Sequence, residues 1–212
     1  PSFPDPYEGV NRRTFAFNQR VDGWVIGPLA DAYETVVPSL VRSGIRNFFA
    51  NLSMPAQLVN NLLQGEVGEA GKTVARFAIN TVTSAGLVDT AERMGLEPHV
   101  ADFGETLARR GVGSGPYLVV PVLGPTTARD GIGVLVDTAL NPTLYFFAPL
   151  SPFTVASIQS GAYGFTERVA HGEDLKELQA TSVDYYAALR SAYSQQRMAQ
   201  TGERREVGAP PT

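Results

Sequence analysis

The sequence predicts an all-α protein, and two features support this prediction. In several segments apolar residues recur every three or four positions, which is the spacing of one face of an α-helix. Strand-like composition is confined to the run Tyr117–Pro121. Because that run ends in proline and no second convincing β run accompanies it, we do not expect a sheet.

Composition excludes several classes of function. The 212 residues fit one domain, and the net charge of −4 argues against nucleic-acid binding, which needs a concentrated basic face. The chain has no cysteine and two histidines, so we predict no disulfide, no thiolate nucleophile, no metal site and no cofactor. The opening residues lack the basic and apolar regions of an export signal, which we expect to have been removed if one existed.

The first predicted helix begins near Asp5. Asp5 suits the N-cap, Pro6 the first helical position, and Glu8 has the spacing of a capping box. We expect Gly27-Pro28 to break this helix, whose apolar side carries Val10, Thr14, Phe17, Val21 and Trp24.

A short helix over residues 30–37 is expected to end at Pro38. Arg42 and Arg46 follow, opposite an apolar stripe that includes Phe48 and Phe49. Because the two arginines are four residues apart, their guanidinium groups share one helix face. They are either solvated charges or, next to lipid, ligands for headgroup phosphates. We expect Met54-Pro55 to begin another helix.

Residues 66–84 form the clearest amphipathic helix. Its apolar face carries Val67, Ala70, Val74, Phe77, Ala78 and Val82, and its polar face Glu69, Lys72, Thr73, Arg76 and Asn80. A short helix over residues 87–94 follows.

Glycine and proline dominate residues 95–125, where regular structure is expected to stop. Gly111, Gly113 and Gly115 alternate with other residues, and glycine adopts positive φ without a side-chain penalty. This segment is therefore either a hinge or a set of tight turns packed against a helix. It does not fit a nucleotide-binding loop, because Pro116 and an extended run stand where a helix would have to begin.

No catalytic arrangement stands out. Ser114 is flanked by glycines but lacks the Gly-x-Ser-x-Gly register of a hydrolase, since Val112 lies two residues before it. Carboxylates such as Asp102, Glu105 and Asp130 show no spacing that would separate an acid from a base. We therefore predict that the protein is not an enzyme, with a hydrolase as a remote alternative.

After a helix predicted over residues 126–140, the chain enters a long uncharged stretch. None of the 29 residues from Thr138 to Thr166 is Asp, Glu, Lys, Arg or His. That length would allow a membrane span, but Pro142, Pro149 and Pro152 must break the stretch into short pieces. It is either an apolar corner that enters a bilayer without crossing it or a buried loop of a soluble core.

Two further helices are expected, one after Ser151-Pro152 and one over residues 173–200. The helix over residues 173–200 carries many charged residues, which is typical of a helix surrounded by water. We predict a single domain over residues 1–200 and a flexible tail over residues 201–212.

A series of short motifs runs in order from Asp5 to about Tyr193. It comprises Asp5-Pro-Tyr-Glu-Gly9, Asn11-Arg12, Phe17-Asn18, Val37-Pro38, Gly44, Asn47-Phe48, Pro55, Asn60, Gln64-Gly65, Arg76-Phe77, Asn80-Thr81, Gly86 with Asp89, Glu97-Pro-His99, Phe103-Gly104-x-Thr106-Leu107, Gly111-x-Gly113-x-Gly115-Pro-Tyr117, Pro121, Gly124 and Arg129-Asp130. Together these motifs resemble the MlaA (VacJ) family of outer-membrane lipoproteins.

The resemblance implies a single-domain, ring-like helical bundle with a Gly/Pro-rich hairpin and a central amphipathic channel. Such proteins lie in the inner leaflet of the Gram-negative outer membrane. They remove mislocalised phospholipids from the outer leaflet, pass them to a periplasmic carrier of the Mla pathway, and associate with trimeric porins. The family's mature chain begins with a lipid-modified cysteine, which this chain lacks, and we expect that the anchor has been removed.

Within that frame, polar side chains should line a route for the lipid headgroup, because a headgroup buried without partners is costly. The candidates are Asn11, Arg46, Asn47, Asn60, Arg76 and Asn80. The hinge of the hairpin is assigned to Gly111, Gly113 and Gly115. The side chains expected to face the membrane are Trp24, Phe48, Phe49, Tyr145, Phe146, Phe147 and Phe153.

Two other classes of function stay open from the sequence. One is a periplasmic lipid-binding protein with a closed pocket, and the other is a structural adaptor that docks to a porin.

Overall fold

The computed structural model describes residues 2–141, 165, 166, 169 and 172–203. The described chain is mostly helical, which confirms the predicted all-α class. In chain order the elements are α1 (Glu8–Val21), a π-helical turn (Asp22–Ile26), α2 (Gly27–Val36), α3 (Ser39–Leu63), α4 (Val67–Ser84), α5 (Thr90–Arg93), α6 (Phe103–Arg109), β1 (Tyr117–Val120), β2 (Gly124–Thr127), α7 (Ala128–Leu140), α8 (Gly172–Thr181) and α9 (Tyr185–Thr201).

The predicted break at Gly27-Pro28 is wrong. The chain stays helical from α1 into α2 through the π-helical turn, where the Gly27 amide donates to the Asp22 carbonyl. Pro28 lies in the first turn of α2, where proline is tolerated. The wider π turn therefore accommodates the proline without ending the helical path.

The predicted helix start at Met54-Pro55 is also wrong, because Pro55 lies inside the 25-residue helix α3. Proline removes one intrahelical hydrogen bond. Contacts with α4 on both sides of Pro55 offset that loss: Asn51 Nδ2 donates to Thr81 Oγ1 at 3.0 Å, and Asn61 Nδ2 donates to Thr73 Oγ1 at 2.9 Å.

Asp5 does not cap α1 as predicted. Tyr7 precedes the helix and makes no side-chain cap bond. The Asp5 carboxylate accepts hydrogen bonds from Asn11 Nδ2 at 2.8 Å, from Arg190 Nη1 at 3.3 Å and from the Tyr186 hydroxyl. It therefore joins the N-terminal segment to α9 instead of starting a helix.

Contrary to prediction, a small sheet is present. Strands β1 and β2 form an antiparallel pair in which Val119 lies opposite Pro125. The Val119 amide donates to Asn11 Oδ1 on α1 at 2.9 Å. Because this amide points away from β2, Pro125 needs no amide of its own at that position.

Two asparagines on α1 cover the outer edge of β1. Asn11 Nδ2 donates to the Tyr117 carbonyl at 3.0 Å, and seven residues later Asn18 Nδ2 donates to the Val120 carbonyl at 3.0 Å. The Asn18 Oδ1 atom also accepts from the Val122 amide at 2.7 Å. Side chains thus replace a third strand along this edge.

The C-terminal helix predicted over residues 173–200 is divided into α8 and α9, and α6 was not predicted. Asp184 caps α9 by accepting from the Ala187 amide at 3.1 Å, and Asp102 caps α6 by accepting from the Glu105 amide at 2.8 Å. Both carboxylates satisfy amides that a helix start leaves without partners.

Helices α6 and α7 cross at Gly104 and Gly133. A Cβ atom at Gly133 would lie 2.5 Å from the Gly104 amide nitrogen, so the crossing requires glycine. Beside it, Arg197 on α9 pairs with Asp102 at 2.6 Å and with Asp130 at 2.9 Å. An apolar cluster lies where the N-terminus, α1, β1 and α9 meet, and consists of Phe3, Tyr117, Val119, Tyr186 and Met198 with Phe15 and Tyr193 against it.

Candidate functional site

Helices α3 and α4 turn their polar faces inward. The buried side chains of α3 include Asn51, Asn60 and Asn61, and those of α4 include Thr73, Arg76 and Asn80. Large apolar side chains of the same two helices are exposed: Leu40, Val41, Phe48, Leu62, Leu63, Val67, Val74, Phe77 and Val82.

This orientation is the reverse of a water-surrounded helix pair. In water, burying one Leu, Val or Phe side chain contributes about 1.5–3 kcal/mol, so a row of exposed apolar residues on adjacent helices is unfavourable. Large exposed apolar patches mark surfaces that contact a partner or a membrane. The outer faces of α3 and α4 are therefore suited to an apolar environment.

Asp89 accepts hydrogen bonds from polar side chains on the buried face of α4. Arg76 Nη2 donates to Asp89 Oδ2 at 2.6 Å, and Asn80 Nδ2 donates to Asp89 Oδ1 at 3.1 Å. Burial opposes the ionisation of Asp89, but hydrogen bonds from the Glu92 amide, Asn80 and Arg76 outweigh it and hold the pKa below its usual value. Asp89 is thus held as a carboxylate beside a buried guanidinium.

A second polar network joins α3 to α6 and α7. Asn60 Nδ2 donates to Asp137 Oδ1 at 2.7 Å, and its Oδ1 accepts from Thr106 at 2.9 Å. The Phe103 amide donates to Asp137 Oδ2 at 3.0 Å. Burial raises the pKa of Asp137 despite these donors. Asn60 therefore acts as a hub between helices, with both of its amide atoms bonded.

A cavity of about 250 Å³, the α3–α4 cavity, lies between α3, α4 and the segment around α5. Its lining combines cations, amides, hydroxyls and a few apolar groups: Arg46, Asn47, Ala50, Met54, Gln57, Thr73, Arg76, Asn80, Asp89, Glu92, Pro98, His99 and Val100.

The α3–α4 cavity brings together four of the six residues predicted to contact a headgroup. Arg46 and Asn47 lie on its α3 side, and Arg76 and Asn80 on its α4 side. Asn60 does not line it and is bonded within the α3–α6–α7 network. Asn11 lies at the edge of β1, where both of its amide atoms are engaged.

Sequence reasoning missed other lining residues. Asp89 and His99 both occur in the motifs that carry the family resemblance, so those motifs were a signal that could have identified them. Gln57 and Thr73 carried no such signal. Their place in the lining follows from the packing of α3 against α4.

A second cavity of about 250 Å³ lies between α2 and the start of α3, and is called the α2–α3 cavity. It is lined by Tyr33, Glu34, Ser39, Arg42, Ser43, Arg46, Thr166 and Val169. Arg46 contributes to both cavities, which therefore adjoin at its side chain.

The glycine-rich segment before β1 is tied to the start of α7. Gly111 has a φ of 82° and Gly115 a φ of 68°, whereas Gly113 is not among the positive-φ glycines. Arg129 Nη1 donates to the Val112 carbonyl at 3.3 Å, and the Arg129 amide donates to the Ser114 carbonyl at 3.1 Å. The hinge assignment stays a prediction.

Of the side chains predicted to face a membrane, Trp24 is 81% exposed and Phe48 is 39% exposed. Phe49 is half-buried and packs edge-on against Phe48, with 6.0 Å between ring centroids. Tyr145, Phe146, Phe147 and Phe153 lie outside the described residues. Within the described ranges, none of the helices has both the length and the apolar character needed to cross a bilayer.

Metal binding finds no support in the part of the chain that the structure describes. Among those residues, no group of three or more histidine, cysteine or carboxylate side chains could hold an ion.

Comparison with known sequences identifies relatives along nearly the whole chain. The family model described as MlaA lipoprotein matches residues 3–200. An intermembrane phospholipid transport system lipoprotein MlaA of Escherichia coli is 34% identical over 200 residues, covering 90% of this chain and 76% of that protein. An uncharacterised protein of Rickettsia bellii is 38% identical over 202 residues, covering 92% of this chain and 76% of that one.

Comparison with solved structures agrees with the sequence matches. A structure described as the structural basis for maintenance of bacterial outer membrane lipid asymmetry matches with a TM-score of 0.79. It is 34% identical, and the match covers 93% of this chain and 98% of that chain. The similarity therefore extends to the fold as a whole.

Proposed function

This chain belongs to the MlaA lipoprotein family, and from that premise we propose that it removes mislocalised phospholipids from the outer leaflet of the outer membrane. The family is a lipid-transport component and not a class of enzymes, so the proposed activity is movement of a lipid without covalent chemistry. Maintenance of lipid asymmetry is the proposed result.

The observation that carries this proposal is the outward apolar and inward polar orientation of α3 and α4. A phospholipid has an apolar and a charged end, and the two ends need different surroundings. The exposed row from Leu40 to Val82 suits acyl chains, whereas Arg46, Asn47 and Arg76 face a cavity. This separation allows a headgroup to be held in a polar space at the depth of the bilayer.

Arg46 is best placed to contact the phosphate of a headgroup. Arg76 is already paired with Asp89 at 2.6 Å. No carboxylate of the described residues forms an ion pair with Arg46. A guanidinium without a carboxylate partner among the described residues is available for charge-assisted hydrogen bonds to phosphate oxygens.

The further features of the proposal follow from the family membership. The chain would act through an amphipathic channel with the glycine hinge beside it, at the periplasmic side of the outer membrane. It would pass lipid to a periplasmic carrier of the Mla pathway and associate with a trimeric porin. The name lipoprotein supports a lipid anchor in the native protein.

A closed-pocket lipid-binding protein is less well supported. Each of the two cavities has a volume of about 250 Å³, and pockets for drug-sized ligands begin at about 300 Å³. Neither cavity has room to enclose two acyl chains. The cavities fit a headgroup, with the chains outside.

The proposal can be tested in cells whose own MlaA gene is replaced by the lipid-anchored form of this protein. Phospholipase added from outside measures the phospholipid present in the outer leaflet. We expect the unchanged protein to keep that amount low and Arg46→Glu to raise it, because the new carboxylate repels phosphate. Arg20→Glu, on the exposed side of α1, is the matched control for the charge change.

Three results would count against or redirect the proposal. Failure of the unchanged protein to lower outer-leaflet phospholipid would refute it. Equal behaviour of Arg46→Glu and Arg20→Glu would remove Arg46 from the route. If Asn47→Trp, which fills the α3–α4 cavity, leaves lipid asymmetry intact, the porin-docking adaptor becomes the better interpretation.

A further inference from the structure

The first turns of α3 present a mixed cationic and hydroxyl face to the α2–α3 cavity. Ser39 and Ser43 are four residues apart, as are Arg42 and Arg46, and all four side chains line this one cavity. Residues at that spacing are neighbours on a helix surface. Two hydroxyls and two guanidinium groups therefore converge on a small volume.

The charge of the described lining favours an anion. Glu34 is the carboxylate among these lining residues. Its Oε1 lies 3.4 Å from Arg42 Nη1, a longer distance than in the arginine–carboxylate pairs made by α4 and α9. Two cations against one anion leave an excess of positive charge. The N-terminus of the 25-residue helix α3 adds to it, because its first amides and its dipole attract negative charge.

Tyr33 provides an independent observation. Its hydroxyl is shut off from solvent and has no hydrogen-bond partner in the part of the chain that the structure describes. The Tyr33 ring is packed edge-on against Phe165, with 5.5 Å between centroids. Buried hydroxyls nearly always have a partner, so this group calls for an acceptor. An anionic oxygen in the cavity would supply one.

We propose that the α2–α3 cavity binds the phosphodiester of a glycerophospholipid headgroup, held by Arg42, Arg46 and the Tyr33 hydroxyl. This inference rests on the proposed function and adds a second site to it. The cavity volume of about 250 Å³ admits a headgroup and excludes the acyl chains. Because Arg46 borders both cavities, a headgroup leaving one site meets the same guanidinium that faces the other.

Binding is tested on the purified chain by isothermal titration with dihexanoyl phosphatidylglycerol below its micelle concentration. Arg42→Gln should raise the dissociation constant about tenfold, since it removes a charge-assisted contact. Tyr33→Phe, which keeps the ring and removes the hydroxyl, should raise it about threefold. Arg42→Lys should restore part of the loss, and Arg20→Gln should leave the constant unchanged.

A second titration uses inorganic phosphate to separate a headgroup site from a general anion site. We expect much weaker binding of inorganic phosphate than of the lipid. Equal affinity for both would overturn the headgroup assignment, and unchanged lipid affinity in both Arg42→Gln and Tyr33→Phe would overturn the site. Thermal unfolding of each variant identifies any loss of folding. If Arg42→Gln does not fold, Tyr33→Phe still tests the site, because it keeps the packing of the ring.

This experiment can fail separately from the proposed function. If the isolated chain binds the lipid at this cavity but does not restore asymmetry in cells, the site stands and the transport role does not. If asymmetry is restored while Arg42→Gln and Tyr33→Phe bind the lipid as the unchanged chain does, the transport role stands and the site does not.

Discussion

Arg76 on α4 and Asp89 at the start of α5 form an interior ion pair, with 2.6 Å between Nη2 and Oδ2. The Arg76 side chain is 5% exposed and that of Asp89 21% exposed. The pair joins the polar side of α4 to the segment that follows α4, beside the α3–α4 cavity. Its contribution is to hold the cavity wall in place.

The Arg76–Asp89 pair predicts a loss of stability on neutralising the arginine. Arg76→Gln should lower the free energy of unfolding by about 3 kcal/mol, because Asp89 would remain partly buried without its cation. Chemical denaturation measures the change. Arg93→Gln, an exposed arginine on α5, is the matched control and should change the value by less than about 0.5 kcal/mol. Equal effects of the two variants would contradict the assignment.

Acid sensitivity is expected from Asp130. Burial opposes its ionisation, but the hydrogen bond and charge of Arg197 outweigh it and hold the pKa of Asp130 below its usual value. Such a group adds stability above its unfolded pKa of about 3.9, and that stability is lost as the pH falls through the folded pKa. The free energy of unfolding should therefore decrease as the pH drops below about 4. In Asp130→Asn this decrease should be smaller.

Asp137 should act with the opposite sign. Burial raises the pKa of Asp137 in the folded state, so its ionisation lowers stability as the pH rises above about 3.9. The free energy of unfolding of the unchanged chain, relative to that of Asp137→Asn, should decline as the pH rises above about 3.9. The same pH series tests this, and a difference that does not vary with pH would contradict it.

The α6–α7 crossing predicts different effects of alanine at two nearby glycines. At Gly133 a Cβ would lie 2.5 Å from the Gly104 nitrogen and 2.9 Å from its Cα, so Gly133→Ala should destabilise the fold by about 1–3 kcal/mol. At Gly131 a Cβ would meet nothing within 4 Å, and Gly131→Ala should stabilise α7 by up to about 1 kcal/mol. Thermal denaturation measures the stability of both variants relative to the unchanged chain.

The glycine-rich segment predicts a separation between folding and transport. Gly111→Ala should cost about 1–2 kcal/mol because φ is 82°, whereas Gly113→Ala has open space around it and should fold normally. If the segment is a hinge, Gly113→Pro should lower transport with little loss of stability. Unchanged outer-leaflet phospholipid in a folded Gly113→Pro variant would refute the hinge.

The exposed Trp24 side chain predicts membrane binding through the first helical segment. Trp24→Ser should weaken co-sedimentation with phospholipid vesicles about tenfold or more, because a large apolar surface is removed, while unfolding free energy stays nearly unchanged. Val183→Ser is the control, since Val183 is also an exposed apolar residue but lies in the polar connection between α8 and α9. Similar losses for both variants would argue against a specific membrane face.

Local sequence signals accounted for several elements and misled at others. The helix over residues 66–84 was predicted nearly to its ends, because its periodicity is long and regular. Proline misled at Pro28 and Pro55, since a π-helical turn and contacts between α3 and α4 outweigh the lost hydrogen bonds. Helix α6 carried a recognisable signal, Asp102 with Glu105, that could have predicted its start.

By itself, the sequence determined that α3 and α4 have one polar and one apolar face, and its ordered motifs determined the family. Only the tertiary structure decided that Asn60, Arg76 and Asn80 point inward while Val74 and Val82 point outward. Periodicity locates the two faces of a helix but does not say which one is buried. That depends on whether the surrounding medium is water or lipid, and on which neighbouring groups, such as Asp89 and Asp137, satisfy the polar side chains.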